Sequence, residues 1–293
     1  MVRDHTRSAN FVTRFAPSPT GLLHLGHAFS ALTAWQAAQA AGGEFLLRIE
    51  DIDGARARPE YEAAIYQDLA WLGLTWPGPV LRQSERDGVY AAALDQLGHL
   101  GATYPCRCTR ADIRAALSAP QEGETQFPPG GAVYPGTCRG RSMAEGGPGD
   151  AIRLDLDRAL AILGERELNW QETGAVHAGT HVLDPEAMRR QIGDVVLGRK
   201  DIGAAAYHLS VVVDDAGQGI THVIRGEDLF EATPIHRLLQ ALLELPVPVW
   251  HHHTLIRDAA GKRLAKRNDA QAIRTYREAG RTPEDVRRMM AEN

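Results

Sequence analysis

Apolar positions in the first fifty residues fall into three blocks separated by polar or proline-bearing seams. Phe11 to Phe15 reads as a short strand, ended at Pro17 and Pro19 because proline brings no ladder donor. A helical stretch follows from about His24 to Ala41, with Leu25, Phe29, Leu32 and several alanines supplying spacing and propensity, and Gly42-Gly43 stopping it. Glu44 to Ile49 gives a second strand. Strand, helix and strand within about forty residues make a βαβ unit with two parallel strands side by side. Arg14 to Ser18 and Glu50 to Asp53 then share the carboxyl edge of one sheet, where open α/β sheets bind ligands.

Residues 59–103 read as helical, with Leu69, Leu72, Leu94, Leu97 and Leu100 as core positions and Trp71 and Trp76 flanking a Gly/Pro turn. From Cys106 to Gly149 the chain turns rich in Gly and Pro and loses its apolar period, as an insertion held by something other than a core, such as a metal. His208 to Val213 and Thr221 to Ile224 are expected as two buried strands. A helix over Thr233 to Leu245 and an extended segment over His251 to Ile256 lead into the basic loop Gly261 to Arg267, and Thr282-Pro283-Glu284-Asp285 opens a last helix. The expected organisation is an α/β, Rossmann-like catalytic domain in two halves, 1–103 and 151–256, around an insertion at 104–150, with a loop and short helical segment at 257–293.

Composition narrows the function. A net charge of −5, from 37 acids against 32 Lys and Arg, gives no global basic field, so nucleic-acid contact must be local. Nowhere do about 18 uncharged apolar residues follow one another, the N-terminal stretch is charged throughout, and three cysteines make a poor disulfide framework. A cytoplasmic protein without membrane contact is expected, as a monomer. No G-x-G-x-x-G follows the first strand, which sets aside a nicotinamide dehydrogenase.

Candidate chemistry gathers at the sheet edge. His24 and His27 lie on one face of a first helical turn, where free N–H groups and the helix dipole favour phosphate, and Gly26 leaves room for a nucleotide. Alone, such a pair also suits a cap or a packed pair. Glu50, Asp51 and Asp53 could be solvated acids, and Arg225 could pair with Glu227 or Asp228; equally, the planar forks of Arg14 and Arg225 match two carboxylates. Cys106, Cys108 and Cys138 provide three thiolates with one tetrahedral position open, or remain unpaired structural cysteines.

The fourteen-residue run Arg14-Phe15-Ala16-Pro17-Ser18-Pro19-Thr20-Gly21-Leu22-Leu23-His24-Leu25-Gly26-His27 resembles the "HIGH" signature of class I aminoacyl-tRNA synthetases in its glutamyl form. Arg48 to Asp53, the block Tyr207 to Leu229 and the loop Arg263-Leu264-Ala265-Lys266-Arg267 resemble that family's amino-acid pocket, second half-site and "KMSKS" loop. Arg263 and Ala265 depart from the loop's first lysine and its serine. The resemblance implies that Arg14, Ala16, Ser18, Glu50, Tyr207 and Arg225 bind glutamate, with Glu50 receiving the ammonium. It implies that His24, Gly26, His27 and Lys266 bind ATP, accompanied by Mg²⁺, and that His24, His27 and Lys266 stabilise charge in catalysis. The matching Cys-x-Cys…Tyr-x3-Cys pattern implies one structural Zn²⁺ on Cys106, Cys108, Tyr134 and Cys138; His99 stays open as an alternative ligand.

Only 27 residues follow Lys266, whereas an anticodon-binding domain needs roughly 100. That layout resembles the glutamyl-queuosine tRNA(Asp) synthetase family, which activates glutamate with ATP and places it on queuosine in the anticodon stem-loop of tRNA(Asp). A truncated glutamyl-tRNA synthetase charging a 3′ end, or a non-catalytic tRNA-binding paralogue, are the rival expectations.

Overall fold

Ala28, Ala31, Ala34 and Ala38 recur along one helix and are all fully buried, so its backbone can lie close against the sheet beneath it. That helix is α1. The computed structural model describes residues 11–118, 133–200, 205–256 and 271–291. In chain order the elements are β1 (Val12–Phe15), α1 (Leu25–Ala40), β2 (Glu44–Ile49), α2 (Pro59–Trp71), β3 (Leu81–Arg82), α3 (Asp87–His99), β4 (Thr103–Cys106) and α4 (Arg110–Ser118). They continue with β5 (Ala151–Leu154), α5 (Leu156–Leu163), β6 (Asn169–Glu172), β7 (Gly179–Val182), α6 (Pro185–Gln191), β8 (Val196–Gly198) and α7 (Tyr207–Gly217). The last are β9 (His222–Gly226), α8 (Thr233–Leu242), β10 (Val249–His253), α9 (Ile273–Glu278) and α10 (Pro283–Ala291).

Strands β1, β2 and β3 form one parallel sheet, with Val12 opposite Glu44 and Arg48 opposite Leu81. A second sheet has the order β7-β6-β10-β9, parallel except for the β6–β7 hairpin. The two adjoin where Val12 N donates to Thr221 Oγ1 at 2.9 Å and Thr221 N donates to Val12 O at 3.0 Å. The joined order, β3-β2-β1-β9-β10-β6, reverses direction between β1 and β9. Such a reversal opens a crevice at the carboxyl ends of the two central strands, the place where doubly wound sheets hold ligands. The antiparallel sheet β4-β5-β8 stands apart and ends at Cys106 on β4.

The βαβ unit, the strand at Thr221 to Ile224, the helix from Thr233 and the capped last helix all match the sequence reading. His208 to Val213 does not: it is part of helix α7. Leu209, Ser210, Val211, Val212, Asp214 and Asp215 are all buried there, so the helix is enclosed on most sides and shows no polar face to betray a period of 3.6. Three consecutive valines then mimic a strand. The stretch 59–103 is also less uniform than expected, since β3 interrupts the helices and β4 begins at Thr103.

Candidate active site

At the crevice between β1 and β9 lies a cavity of about 560 Å³. Arg14, Phe15 and Ala16 reach it from the end of β1, Glu50 from the end of β2, and Ile224, Arg225 and Gly226 from the end of β9. His24, Gly26 and His27 enter from the start of α1, Tyr207 from the start of α7, and His253, Leu255 and Ile256 from the end of β10. A Cβ at Gly226 would stand 2.5 Å from Asp228 Oδ1 and 2.9 Å from Leu255 Cδ2, so both side chains would have to shift to admit one.

One wall is a buried charge network. Arg14 grips Asp215 with two nitrogens, Nε at 2.8 Å and Nη2 at 3.1 Å, while its Nη1 makes a long 3.5 Å contact with the Ile224 carbonyl. The same carboxylate accepts Nη1 of fully buried Arg48 at 2.8 Å, and Nη2 of Arg48 donates to Glu50 Oε1 at 3.2 Å. Burial pushes the Glu50 carboxyl up, against the pull of Arg48 and Arg14. Burial pushes Asp215 up as well, but Arg14 and Arg48 outweigh it and its pKa falls. Neighbouring Asp214 is held by Arg86, Gln83 and Tyr90. Both acids sit in the last turn of α7, at the negative end of its dipole, so the arginines are what make them tolerable there.

The opposite wall is Arg225, whose partners among the described residues are all neutral. Its Nε donates to His252 Nε2 at 2.9 Å; its Nη2 donates to the Leu229 carbonyl at 3.0 Å and Thr233 Oγ1 at 2.9 Å. Nη1 donates to His236 Nδ1 at 3.1 Å and makes a 3.5 Å contact with the Tyr207 hydroxyl. Burial drives the pKa values of His236 and His252 down, and that of His208 to about 4, with Arg225 adding to the effect, so none of these rings adds charge at neutral pH. Among the described residues no carboxylate pairs with Arg225. The charged side chains that line the cavity are Arg14 and Arg225 against Glu50 and Asp228, so cations for two carboxylates and an anion for an ammonium stand on the same walls.

At the start of α1, Gly26 N donates to His24 Nδ1 at 3.1 Å and His24 N donates to His27 Nδ1 at 3.2 Å, a reciprocal capping box built from two imidazoles. Their rings stack with centroids 3.8 Å apart. Because each Nδ1 accepts, each Nε2 is left as the N–H donor nitrogen, the form that suits phosphate oxygens. Gly26 has a further reason to be glycine: a Cβ would crowd the His24 ring at 3.1 Å.

Outside the cavity, the sulfurs of Cys106, Cys108 and Cys138 lie within 4.8 Å of one another. The Tyr134 hydroxyl stands 3.4 Å from both Cys106 Sγ and Cys108 Sγ and accepts from Cys138 N at 2.9 Å. The cluster could hold a metal ion: three thiols and a phenolic oxygen converge on one point, as a tetrahedral thiophilic ion requires. Arg153 supports it from behind, with Nε donating to Cys106 Sγ at 3.3 Å and its guanidinium 3.8 Å above the Tyr134 ring. His99 sits exposed on α3 with Nδ1 against the Asp95 carbonyl, and is not among the clustered ligands.

The family model for class I tRNA synthetases (E and Q), catalytic domain, matches residues 10–128 and 179–292. A glutamyl-Q tRNA(Asp) synthetase of Rhodobacter capsulatus is 57% identical over 282 residues, covering 95% of this chain and 99% of that protein. The chain belongs to the glutamyl-Q tRNA(Asp) synthetase family. A second member, from Nitratidesulfovibrio vulgaris, is 43% identical over 91% of this chain and 81% of its own length. A crystal structure of a glutamate tRNA ligase from Elizabethkingia meningosepticum in complex with its amino acid superposes with a TM-score of 0.69 at 29% identity. It is covered over 52% of its length, so this chain spans about half of that ligase.

Of the residues that the motifs of this family single out, Arg14, Ala16, His24, Gly26, His27, Glu50, Tyr207 and Arg225 line this cavity together. Ser18 is exposed beyond its rim, where its carbonyl accepts from Thr20 N at 2.8 Å. Lys266, with Arg263 and Ala265, lies outside the described residues. Sequence reasoning assigned no role to Arg48, Asp215, His252 or Glu172. Arg48 and Asp215 stand inside quoted motifs, and adjacent buried acids beside an arginine-rich edge were a usable signal; Glu172 and His252 carried none, since only the strand order brings them to Arg225.

Proposed function

We propose that the chain activates L-glutamate with ATP, without tRNA, to glutamyl-adenylate and pyrophosphate, and then transfers the glutamyl group to the cyclopentenediol of queuosine at the wobble position of tRNA(Asp). The observation that carries the activation step is Arg225, a buried guanidinium with neutral partners facing a carboxylate, Glu50, across one cavity. An isolated buried cation is costly unless an anion arrives, and a buried anion likewise favours an ammonium. The family's glutamyl-Q naming supports the acceptor.

In this reading Nη1 of Arg225 and the Tyr207 hydroxyl take one substrate carboxylate and Nη1 of Arg14 the other, while Glu50 takes the ammonium. The substrate's α-carboxylate attacks the α-phosphate of Mg²⁺-bound ATP in line, and pyrophosphate leaves. No side-chain nucleophile is needed. The chain supplies position and charge stabilisation: the Nε2–H groups of His24 and His27 and the ammonium of Lys266 neutralise negative charge on the phosphates. Residues 104–150 act as a zinc-binding insertion between the two catalytic halves, with Cys106, Cys108, Cys138 and Tyr134 as ligands and a structural role for the ion. The protein works in the cytoplasm as a monomer; no described helix is long and apolar enough to cross a membrane.

The test has two arms. Glutamate-dependent ATP–pyrophosphate exchange should proceed with no tRNA present, and labelled glutamate should be retained on queuosine-containing tRNA(Asp) stripped of its 3′ CCA end. Labelling that disappears with the CCA end would assign the protein to ordinary 3′ charging instead.

A further inference from the structure

Behind Arg225 stands a pair of residues that the reaction itself never touches. Glu172, His252 and Arg225 lie on three successive strands, β6, β10 and β9, with His252 directly in register with Arg225. They form a row that ends at the cavity. Glu172 and His252 are both fully enclosed, with no side-chain surface exposed, and neither lines the cavity.

Glu172 is fixed by more than its histidine. Its Oε1 accepts from the backbone N–H groups of Gly174 at 2.6 Å and His252 at 2.9 Å, and its Oε2 accepts from His252 Nδ1. Burial opposes ionisation of Glu172, yet these three donors outweigh it and lower its pKa to about 2. The turn is shaped for this purpose. A Cβ on residue 174 would stand 2.1 Å from the His252 carbonyl oxygen and 2.8 Å from Glu172 Oε1, so only glycine brings its N–H to that carboxylate. An anion fixed at Nδ1 requires the proton to sit there, which leaves Nε2 as a pure acceptor, and Nε2 is the atom that receives Nε–H of Arg225.

We infer that Glu172 and His252 are positioning residues for the glutamate site: Glu172 holds His252 in its Nδ1–H tautomer, and His252 Nε2 then anchors Nε of Arg225 so that Nη1 is aimed at the substrate carboxylate. This rests on Arg225 binding a carboxylate of glutamate. The arrangement also places a compensating negative charge one residue behind the guanidinium, close enough to stabilise it yet too far to occupy the nitrogen that the substrate needs. A carboxylate in direct contact, such as Asp215 on Arg14, would compete with the ligand; a histidine relay avoids that.

Glu172→Gln is the discriminating variant. Its carbonyl oxygen can still accept the two backbone donors, but its amide presents N–H to His252 Nδ1, which forces the opposite tautomer and sets Nε2–H against Nε–H of Arg225. In tRNA-free ATP–pyrophosphate exchange, Glu172→Gln and His252→Leu should each raise the KM for L-glutamate about 10- to 100-fold, as expected for a lost charged hydrogen bond, with the KM for ATP changed less than about twofold. His252→Gln, which keeps an acceptor at the Nε2 position, should return the KM to within about fivefold of the original. In an Arg225→Ala background Glu172→Gln should add nothing, because its effect passes through that side chain.

An unchanged KM for L-glutamate in both Glu172→Gln and His252→Leu, alongside a raised one in Arg225→Ala, would overturn the positioning role alone. An unchanged KM in Arg225→Ala would instead remove Arg225 from the substrate site, and the inference with it. In the unmodified protein, ¹⁵N spectra of labelled histidine should show His252 protonated at Nδ1; protonation at Nε2 overturns the inference whether or not any variant folds.

Discussion

Asp215 holds two buried arginines with one carboxylate, and Arg14 and Arg48 each depend on it for orientation as well as for charge. Replacing it with asparagine takes from Arg14 its anion and leaves Arg48 with Glu50 and the more distant Asp214. Asp215→Asn should therefore lower unfolding free energy by about 3–5 kcal/mol, the usual consequence of orphaning a buried ion-pair partner, and raise the KM for glutamate by misplacing Arg14 and, through Arg48, Glu50. Urea unfolding and pyrophosphate exchange on the same preparation measure both effects. At this scale the residues proposed to touch substrate were legible, because their chemistry is written in contiguous motifs: a glycine between two histidines, acids at a strand end, an arginine closing an apolar run. The residues that hold them were not. Glu172 lies 80 positions from His252, and His252 is the middle one of three histidines, indistinguishable in sequence from His251 or His253.

Elements place those side chains through register, and strand β10 is the clearest case. It lies between β6 and β9, so a one-residue slip would turn His252 away from both Glu172 and Arg225. The turn after β6 guards that register through the near contact of Gly174 with the His252 carbonyl. Gly174→Ala should force the turn off β10, costing about 1–3 kcal/mol as overpacking does, together with a loss of glutamate affinity that exceeds any loss of ATP affinity. Thermal melting and separate titrations of the two substrates would show it; equal weakening of both would argue for a general disturbance. The βαβ unit was readable because its elements are amphipathic or bounded by Pro and Gly. Helix α7 was not, because enclosure removes the polar face on which a helical period depends, and its acids, Asp214 and Asp215, looked like the start of a turn.

For the whole molecule, the cysteine cluster and the catalytic cavity belong to different sheets, β4 at the one and β1 with β9 at the other. Removing a bound metal should accordingly lower thermal stability while pyrophosphate exchange persists at temperatures where the fold survives, and Tyr134→Phe should reduce zinc content by loss of a ligand oxygen. Metal analysis beside a melting curve checks both; undiminished zinc in Tyr134→Phe removes that residue from the site. The cavity itself sits on a join. Arg14, His24 and Glu50 come from before the insertion, Tyr207 and Arg225 from after it, and the two groups meet where Val12 and Thr221 bond across the sheets and Arg14 grips Asp215. Recognition is thus a property of the docking and of neither part alone. In the proposed reading each part carries half of a vocabulary for glutamate, Glu50 and Arg14 naming its amine and one carboxylate and Arg225 the other, and only when the strands close beside each other does the molecule hold the whole word.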